Sequence, residues 1–270
     1  MRYEPQYMKN LYDIYHSGAF EANERTGIAT KRLPSTQIIV DLEEEFPILQ
    51  SKKVFWKSAA DEILWIMQKH SNVTAELKSK IWDNWTGEDG TIGKTYGYQI
   101  GQPTRGYANQ VEYVLETLKN DPSNRQCVIN MWNVSELEEM NLVPCAYSSV
   151  WSIIDGRLNC MLVQRSADYP VGVPFDTTQY AILVHLFARH LGVKPGVLTH
   201  VMADSHIYEN QFPGVEAQFD QWDRQRVIES TNPRIVFRDE APTDFWQITL
   251  NDFDIVDYDP MPAIKYEVAV

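Results

Sequence analysis

Two alternating apolar runs, residues 146–154 and 157–165, flank Asp155-Gly156. Period-two alternation on both sides of such a dipeptide predicts a β-hairpin closed by a two-residue turn. Continued without interruption, that ladder sets Cys145 opposite Ser166 and Ala146 opposite Arg165. Helical spacing predicts a first helix over residues 5–20 and a second over 59–69, with Ile63, Ile66 and Met67 on one face. A third covers 109–120 and stops before Pro122, and a fourth covers 177–191 and closes at Gly192. Strands are predicted at 35–42, 126–132, 198–202, 234–238, 246–250 and 252–257. With no repeat, low-complexity tract or linker, the pattern reads as one mixed α/β domain over residues 1–270.

Composition narrows the class. The 270 residues are 44% hydrophobic and include eight Trp, enough for a substantial core. A formal charge of −13 argues against nucleic acid or an anionic membrane as partner. An anionic ligand would need a local cluster of arginines. Three cysteines without C-x-x-C spacing suggest neither a disulfide framework nor a metal site, so a reducing, cytoplasmic setting is expected. No apolar run has the length of a membrane span, and MRYEPQYMKN lacks the apolar core of a signal peptide.

The hairpin carries the first candidate chemistry. Cys145 beside an arginine and a serine is suited to nucleophilic attack on an anionic substrate, because a nearby cation favours thiolate. An isolated cysteine at a strand end is more often simply buried. Glu62, among Leu64 and Trp65, reads from its neighbours alone as a snorkelling surface group, with a buried acid of raised pKa as the alternative. The aromatic, turn-rich stretch from Trp82 and Trp85 to Tyr96 suits either the wall of a pocket for a planar ligand or a core plug. His206 and Tyr208, two apart, would share one face of an extended segment.

In order, Pro144-Cys145, Gln164-Arg165-Ser166, Asp168, Gly172, Pro174-Phe175 and the run Asp204 to Tyr208 resemble the thymidylate synthases and their relatives, the pyrimidine-nucleotide hydroxymethylases. The likeness spans nearly the whole chain, from Arg25-Thr26-Gly27 through Glu62–Trp65, Tyr96-Gly97 and Asn120-Asp121-Pro122 to Val268-Ala269-Val270. It implies an α+β fold: a mixed, mostly antiparallel six-stranded sheet flanked by helices, dimerising through the sheet. It further implies Cys145 as the nucleophile adding to C6 of a pyrimidine, Glu62 as the general acid/base working through water, and Tyr96 in removal of the C5 proton. Arg25, Arg165 and Ser166 resemble phosphate ligands, with Arg125 donated across a homodimer interface. Gln164, Asp168 and Asp176 match nucleotide positions, and His206 and Tyr208 match the pair on the sugar 3′-hydroxyl. Trp82, Trp85, Asp168, Gly172, Phe175 and Val270 match positions around the co-substrate, 5,10-methylenetetrahydrofolate. No metal is implied.

Three departures bear on the base. Thymidylate synthases carry asparagine where this chain has Asp176, and the deoxycytidylate hydroxymethylases carry aspartate. An ionised carboxylate would set acceptor against O4 of uracil, so Asp176 points to dCMP. Ala146 replaces the histidine usual after the nucleophile, and Gln126 replaces a second consecutive arginine. The expectation is a cytosine-directed member of the family. Its product would be 5-hydroxymethyl-dCMP, with 5-methyl-dCMP as the other branch and dUMP methylation as the alternative. Either cytosine product would suit a virus that modifies its DNA precursors. A thiol hydrolase using Cys145 and His206 lacks an oxyanion-loop signature, and a catalytically inert nucleotide- or RNA-binding relative is disfavoured by the retained Cys145, Glu62 and Arg165.

Overall fold

The computed structural model describes residues 2–24, 26–225 and 231–268. In chain order the elements are α1 (Tyr3–Ser17), β1 (Ala19–Glu21), β2 (Thr30–Asp41), α2 (Trp56–Met67), α3 (Gly97–Ile100), α4 (Gln110–Asn120), β3 (Val128–Asn130), β4 (Ala146–Ile154), β5 (Arg157–Gln164), β6 (Ala167–Asp168), α5 (Gly172–Leu191), β7 (Lys194–Tyr208), α6 (Phe212–Gln225), β8 (Arg234–Phe237) and β9 (Phe253–Val256). Among the described residues the main sheet follows a six-strand path, β1-β2-β7-β5-β4-β3, with the two-residue β6 pairing β7 beside it. Its pairs are antiparallel except β5 with β7 and β6 with β7. Parallel neighbours need a long crossover, and α5 supplies it. The α+β fold with a mixed, mostly antiparallel sheet flanked by helices is therefore as expected. Residues 246–250 are not a strand; a 3₁₀ turn forms at Phe245–Gln247, capped by the Asp244 side chain accepting from Trp246 N–H.

The hairpin forms at Asp155-Gly156, both in the left-handed region (φ 52° and 69°), as a mirror-image turn requires. Its register holds from Ile154–Arg157 through Ser148–Val163 and then slips, so that Ala146 faces Gln164. This corrects the pairing of Cys145 with Ser166 and of Ala146 with Arg165. A bulge at Tyr147 moves the ladder by one residue, and Arg165 N–H donates to the carbonyl of Cys145 itself, at 2.9 Å.

Helix α5 is the centre of the core. Thirteen of its residues are buried, and it packs against α2, β5 and β7. A helix buried nearly all round carries only a weak amphipathic signal, and Pro174 is tolerated in a first turn, which is why the spacing alone places its start several residues late. Its C-terminus closes at Gly192 (φ 68°), whose N–H reaches the carbonyls of Ala188 and Arg189.

The inward sheet face presents Trp151, Leu158, Cys160, Leu162, Leu198 and Met202 to this core. The opposite face is less covered. Register places Val128, Val150, Met161, Thr199 and Ile39 in one row across five strands. The four large apolar members of that row are 37%, 38%, 45% and 43% exposed, for Val128, Val150, Met161 and Ile39 respectively. Among the described residues no helix is long and apolar enough to cross a membrane.

Candidate active site

A single pocket gathers residues from α2, the Trp82–Trp85 turn, the segment before α3, the start of β4, the ends of β5 and β7, β6 and the first turns of α5. Twelve of the residues singled out in the sequence line it: Glu62, Trp82, Trp85, Tyr96, Cys145, Gln164, Ser166, Asp168, Gly172, Asp176, His206 and Tyr208.

Cys145 is half-buried at the mouth of β4. Arg165 stands against it, with a guanidinium nitrogen 3.9 Å from Sγ. That guanidinium is anchored, donating to the carbonyls of Pro144 (2.9 Å) and Val143 (2.8 Å), and it lies over the Trp132 ring. Cys145 N–H donates to the hydroxyl oxygen of Tyr96 at 3.3 Å. Tyr96 occupies φ 43°, ψ −106°, a region that costs a bulky residue energy. Packing enforces this: a Cβ on the adjacent Gly97 would lie 2.2 Å from the Ser71 carbonyl oxygen, so the chain can pass only as glycine.

Glu62 is not the snorkelling surface group that its sequence neighbours suggest. Burial raises its pKa, while two donors oppose the shift. Gln179 Nε2 donates to Oε1 at 2.9 Å and Trp82 Nε1 donates to Oε2 at 3.0 Å. Gln179 escaped the sequence reading. The signal was the i, i+4, i+7 stripe Gly172, Asp176, Gln179, which turns one face of α5 into the pocket.

Two further carboxyls share the wall. Asp168 is pushed up by burial, with His206 and the two bonds from Gln211 pulling the other way. Asp176 is pushed up to about 7, first by burial and then by the charge of Glu62, against a hydrogen bond from Gln164. Gln164 is fixed from behind: its Nε2 donates to the Ser166 carbonyl (3.0 Å) and its Oε1 meets Nε2 of His200 (2.7 Å). His200 is fully buried, held neutral by burial with its pKa near 3, and its Nδ1 meets the Thr177 hydroxyl.

At the far end of β7, burial pulls down on His206, yet the hydrogen bond with Asp204 and the charge of Asp168 leave its pKa raised. Its ring meets Tyr208 edge to face at 5.1 Å. Phe175 lies in an adjoining groove with Lys52, Lys53 and Lys265, which shares Val171 with the main pocket. Lys52, also missed in the sequence, donates to the Pro170 carbonyl and sits over the Tyr266 ring, and burial lowers its pKa to about 7. Arg125 is exposed and away from this pocket. Arg105 donates to the side-chain oxygen of the neighbouring Gln126 at 2.5 Å. Arg25 and Val270 lie outside the described residues, although Val268 does line the pocket. Among the described residues no cluster of potential metal ligands occurs.

Comparison with known proteins gives one family. The family model described as thymidylate synthase matches residues 5–270. A thymidylate synthase of Clostridium beijerinckii is 41% identical over 271 residues, covering 99% of each chain. One of Corynebacterium aurimucosum is 36% identical, covering 99% of this chain and 98% of its own. Among solved structures, thermostable thymidylate synthase A from Bacillus subtilis superposes with a TM-score of 0.88 at 32% identity, each chain fully covered. These matches correct the expectation of a cytosine-directed hydroxymethylase: the relatives are named for thymidylate, and none of them points to dCMP. The residue type could not settle the base. A neutral carboxyl carries one donor and one acceptor, as the face of an amide does, so aspartate by itself does not select cytosine.

Proposed function

Since the chain belongs to the thymidylate synthase family, we propose that it methylates C5 of dUMP to give dTMP, with its whole length forming the catalytic domain. The observation that carries this reading is Cys145, with the Arg165 guanidinium 3.9 Å from its sulfur, opening on a pocket that the buried carboxyl of Glu62 also lines.

The Cys145 thiolate adds to C6 of the ring. An Sγ–C6 bond forms and the C5=C6 pair moves onto C5 and O4, so that C5 becomes nucleophilic. Methylenetetrahydrofolate supplies the one-carbon unit for C5 and the hydride that completes the methyl group. The aromatic slab of Trp82 and Trp85 with Val171 beside Gly172 suits a flat heterocycle stacked on the base, and it keeps water from the reacting carbon. Glu62, held by Gln179 and Trp82, moves protons to and from the base, and the neutral Tyr96 hydroxyl assists removal of the C5 proton by hydrogen bonding. Expulsion of Cys145 restores the C5=C6 bond. Arg165 and Ser166 hold the phosphate, and His206 with Tyr208 takes the sugar hydroxyl.

The uncovered apolar row on the sheet supports a homodimer closed face to face, with Arg125 reaching the partner's phosphate site. The test is incubation with dUMP and methylenetetrahydrofolate, following dihydrofolate absorbance and product mass. dTMP formation is expected, with Cys145→Ser losing turnover while still binding nucleotide. Absence of dTMP, or a Cys145→Ser variant of near-normal activity, overturns the reading.

A further inference from the structure

Where α5 packs on the sheet beneath the pocket, polar groups run in a chain that the mechanism above does not use. His200 on β7 and Thr177 on α5 are fully buried, and Gln164 at the end of β5 is nearly so. The Thr177 hydroxyl meets His200 Nδ1 at 3.0 Å, and His200 Nε2 meets the Gln164 side-chain oxygen at 2.7 Å. The Gln164 side-chain nitrogen in turn donates to the Ser166 carbonyl at 3.0 Å. Gln164 and Ser166 line the pocket, and His200 and Thr177 stand behind them.

Donor counting places the protons of this chain. Gln164 turns its nitrogen to a carbonyl, so the group it points at the imidazole is an acceptor. Burial keeps His200 neutral, so its ring carries one proton, and that proton belongs on Nε2, facing the Gln164 oxygen. Nδ1 is then an acceptor, which the Thr177 hydroxyl fills. The other tautomer would let Thr177 donate to the Val173 carbonyl, 2.8 Å away, but would set a bare ring nitrogen against a bare oxygen, a mismatch that burial makes costly. Flipping the Gln164 amide only moves the mismatch to the Ser166 carbonyl.

We propose that His200, as the Nε2–H tautomer, is a positioning residue for nucleotide binding: it holds the Gln164 amide in one orientation and thereby fixes Ser166 against the phosphate. The inference rests on the dUMP reading above, which gives Ser166 its phosphate. The strand end is pinned on two sides, because Arg165 N–H donates to the Cys145 carbonyl at 2.9 Å while Gln164 holds the Ser166 carbonyl. Histidine suits this place because its two ring nitrogens have opposite character, an acceptor toward α5 and a donor toward β5.

Two measurements test this. In wild-type protein labelled with 15N-histidine, the His200 signal, identified by its loss in His200→Gln, should report the Nε2–H tautomer, unchanged from roughly pH 6 to 8. In kinetics, His200→Phe fills the volume but makes neither contact; KM for dUMP should rise about five- to tenfold while kcat stays within about twofold. His200→Gln, whose amide nitrogen reaches the place of Nε2, should recover most of that loss. A role in packing alone predicts the reverse order, with the apolar ring tolerated better than the amide. An Nδ1–H or doubly protonated ring, or a His200→Phe enzyme with wild-type KM, overturns the proposal. Ser166→Ala with an unchanged KM for dUMP overturns the phosphate contact of the dUMP reading instead, and the tautomer does not depend on that result. If His200→Phe does not fold, the wild-type tautomer decides alone.

Discussion

Replacing Arg165 by glutamine should slow alkylation of Cys145, and the structure sets the size of the effect. At 3.9 Å a unit positive charge stabilises a thiolate by about 4 kcal/mol at an effective dielectric constant near 20. Both groups are half-buried, so water and salt reduce the attraction to about 1–2 kcal/mol. That corresponds to about a tenfold slower alkylation. The assay is the initial rate of reaction with iodoacetamide in the absence of nucleotide. Background is low because the other two cysteines, Cys127 and Cys160, are buried. Arg165→Lys separates charge from anchoring: it keeps the cation but cannot bridge the carbonyls of Val143 and Pro144 as the guanidinium does. It should recover part of the rate, with a wider spread from the looser loop. Alkylation of Arg165→Gln at the wild-type rate would refute the electrostatic account of the nucleophile.

Gln179→Leu removes one of the two donors that stabilise ionised Glu62, worth about 1.5–3 kcal/mol, and so should raise the acid limb of the kcat profile by about one to two pH units; an unmoved limb would detach Glu62 from the rate. Asp176 has a folded pKa raised to about 7, so its contribution to stability is complete below the unfolded carboxylate value and is lost as pH rises through about 7. Denaturant titrations should therefore show Asp176→Asn gaining on the wild type by on the order of a few kcal/mol between acid and mildly alkaline pH, and equal differences at both ends would contradict the shift. Gly97→Ala forces a Cβ against the Ser71 carbonyl and should cost about 2 kcal/mol or more in thermal unfolding, disturbing Tyr96 with it.

Local signals carried much of the architecture. Asp155-Gly156 marked the hairpin because only residues tolerant of positive φ fit that turn, and Gly192 marked the end of α5 for the same reason. The bulge at Tyr147 left no such mark. A one-residue slip is decided by what the strand end must meet, here Arg165 and the pocket, and not by local preference. Candidate site residues stood out where they sit in ordered motifs, as Cys145, Arg165 and His206 do. Gln179, Lys52 and His200 were not, because their roles depend on partners such as Glu62, Pro170 and Gln164 that lie far away in sequence. The cytosine reading failed on the same ground: residue type says that Asp176 is a carboxyl, but its protonation is set by Glu62, Asp168 and the depth of the pocket.

The carboxyl-lined wall belongs to a strongly acidic molecule, and that affects how the substrate arrives. A nucleotide monophosphate approaches a chain whose formal charge of −13 already includes Glu62, Asp168 and Asp176, and beyond about a Debye length it meets repulsion before Arg165 can engage the phosphate. Encounter is thus uphill at long range and favourable only at contact. Raising ionic strength from low values should speed association before it weakens the bound complex, the reverse of the order seen in a basic, electrostatically steered site.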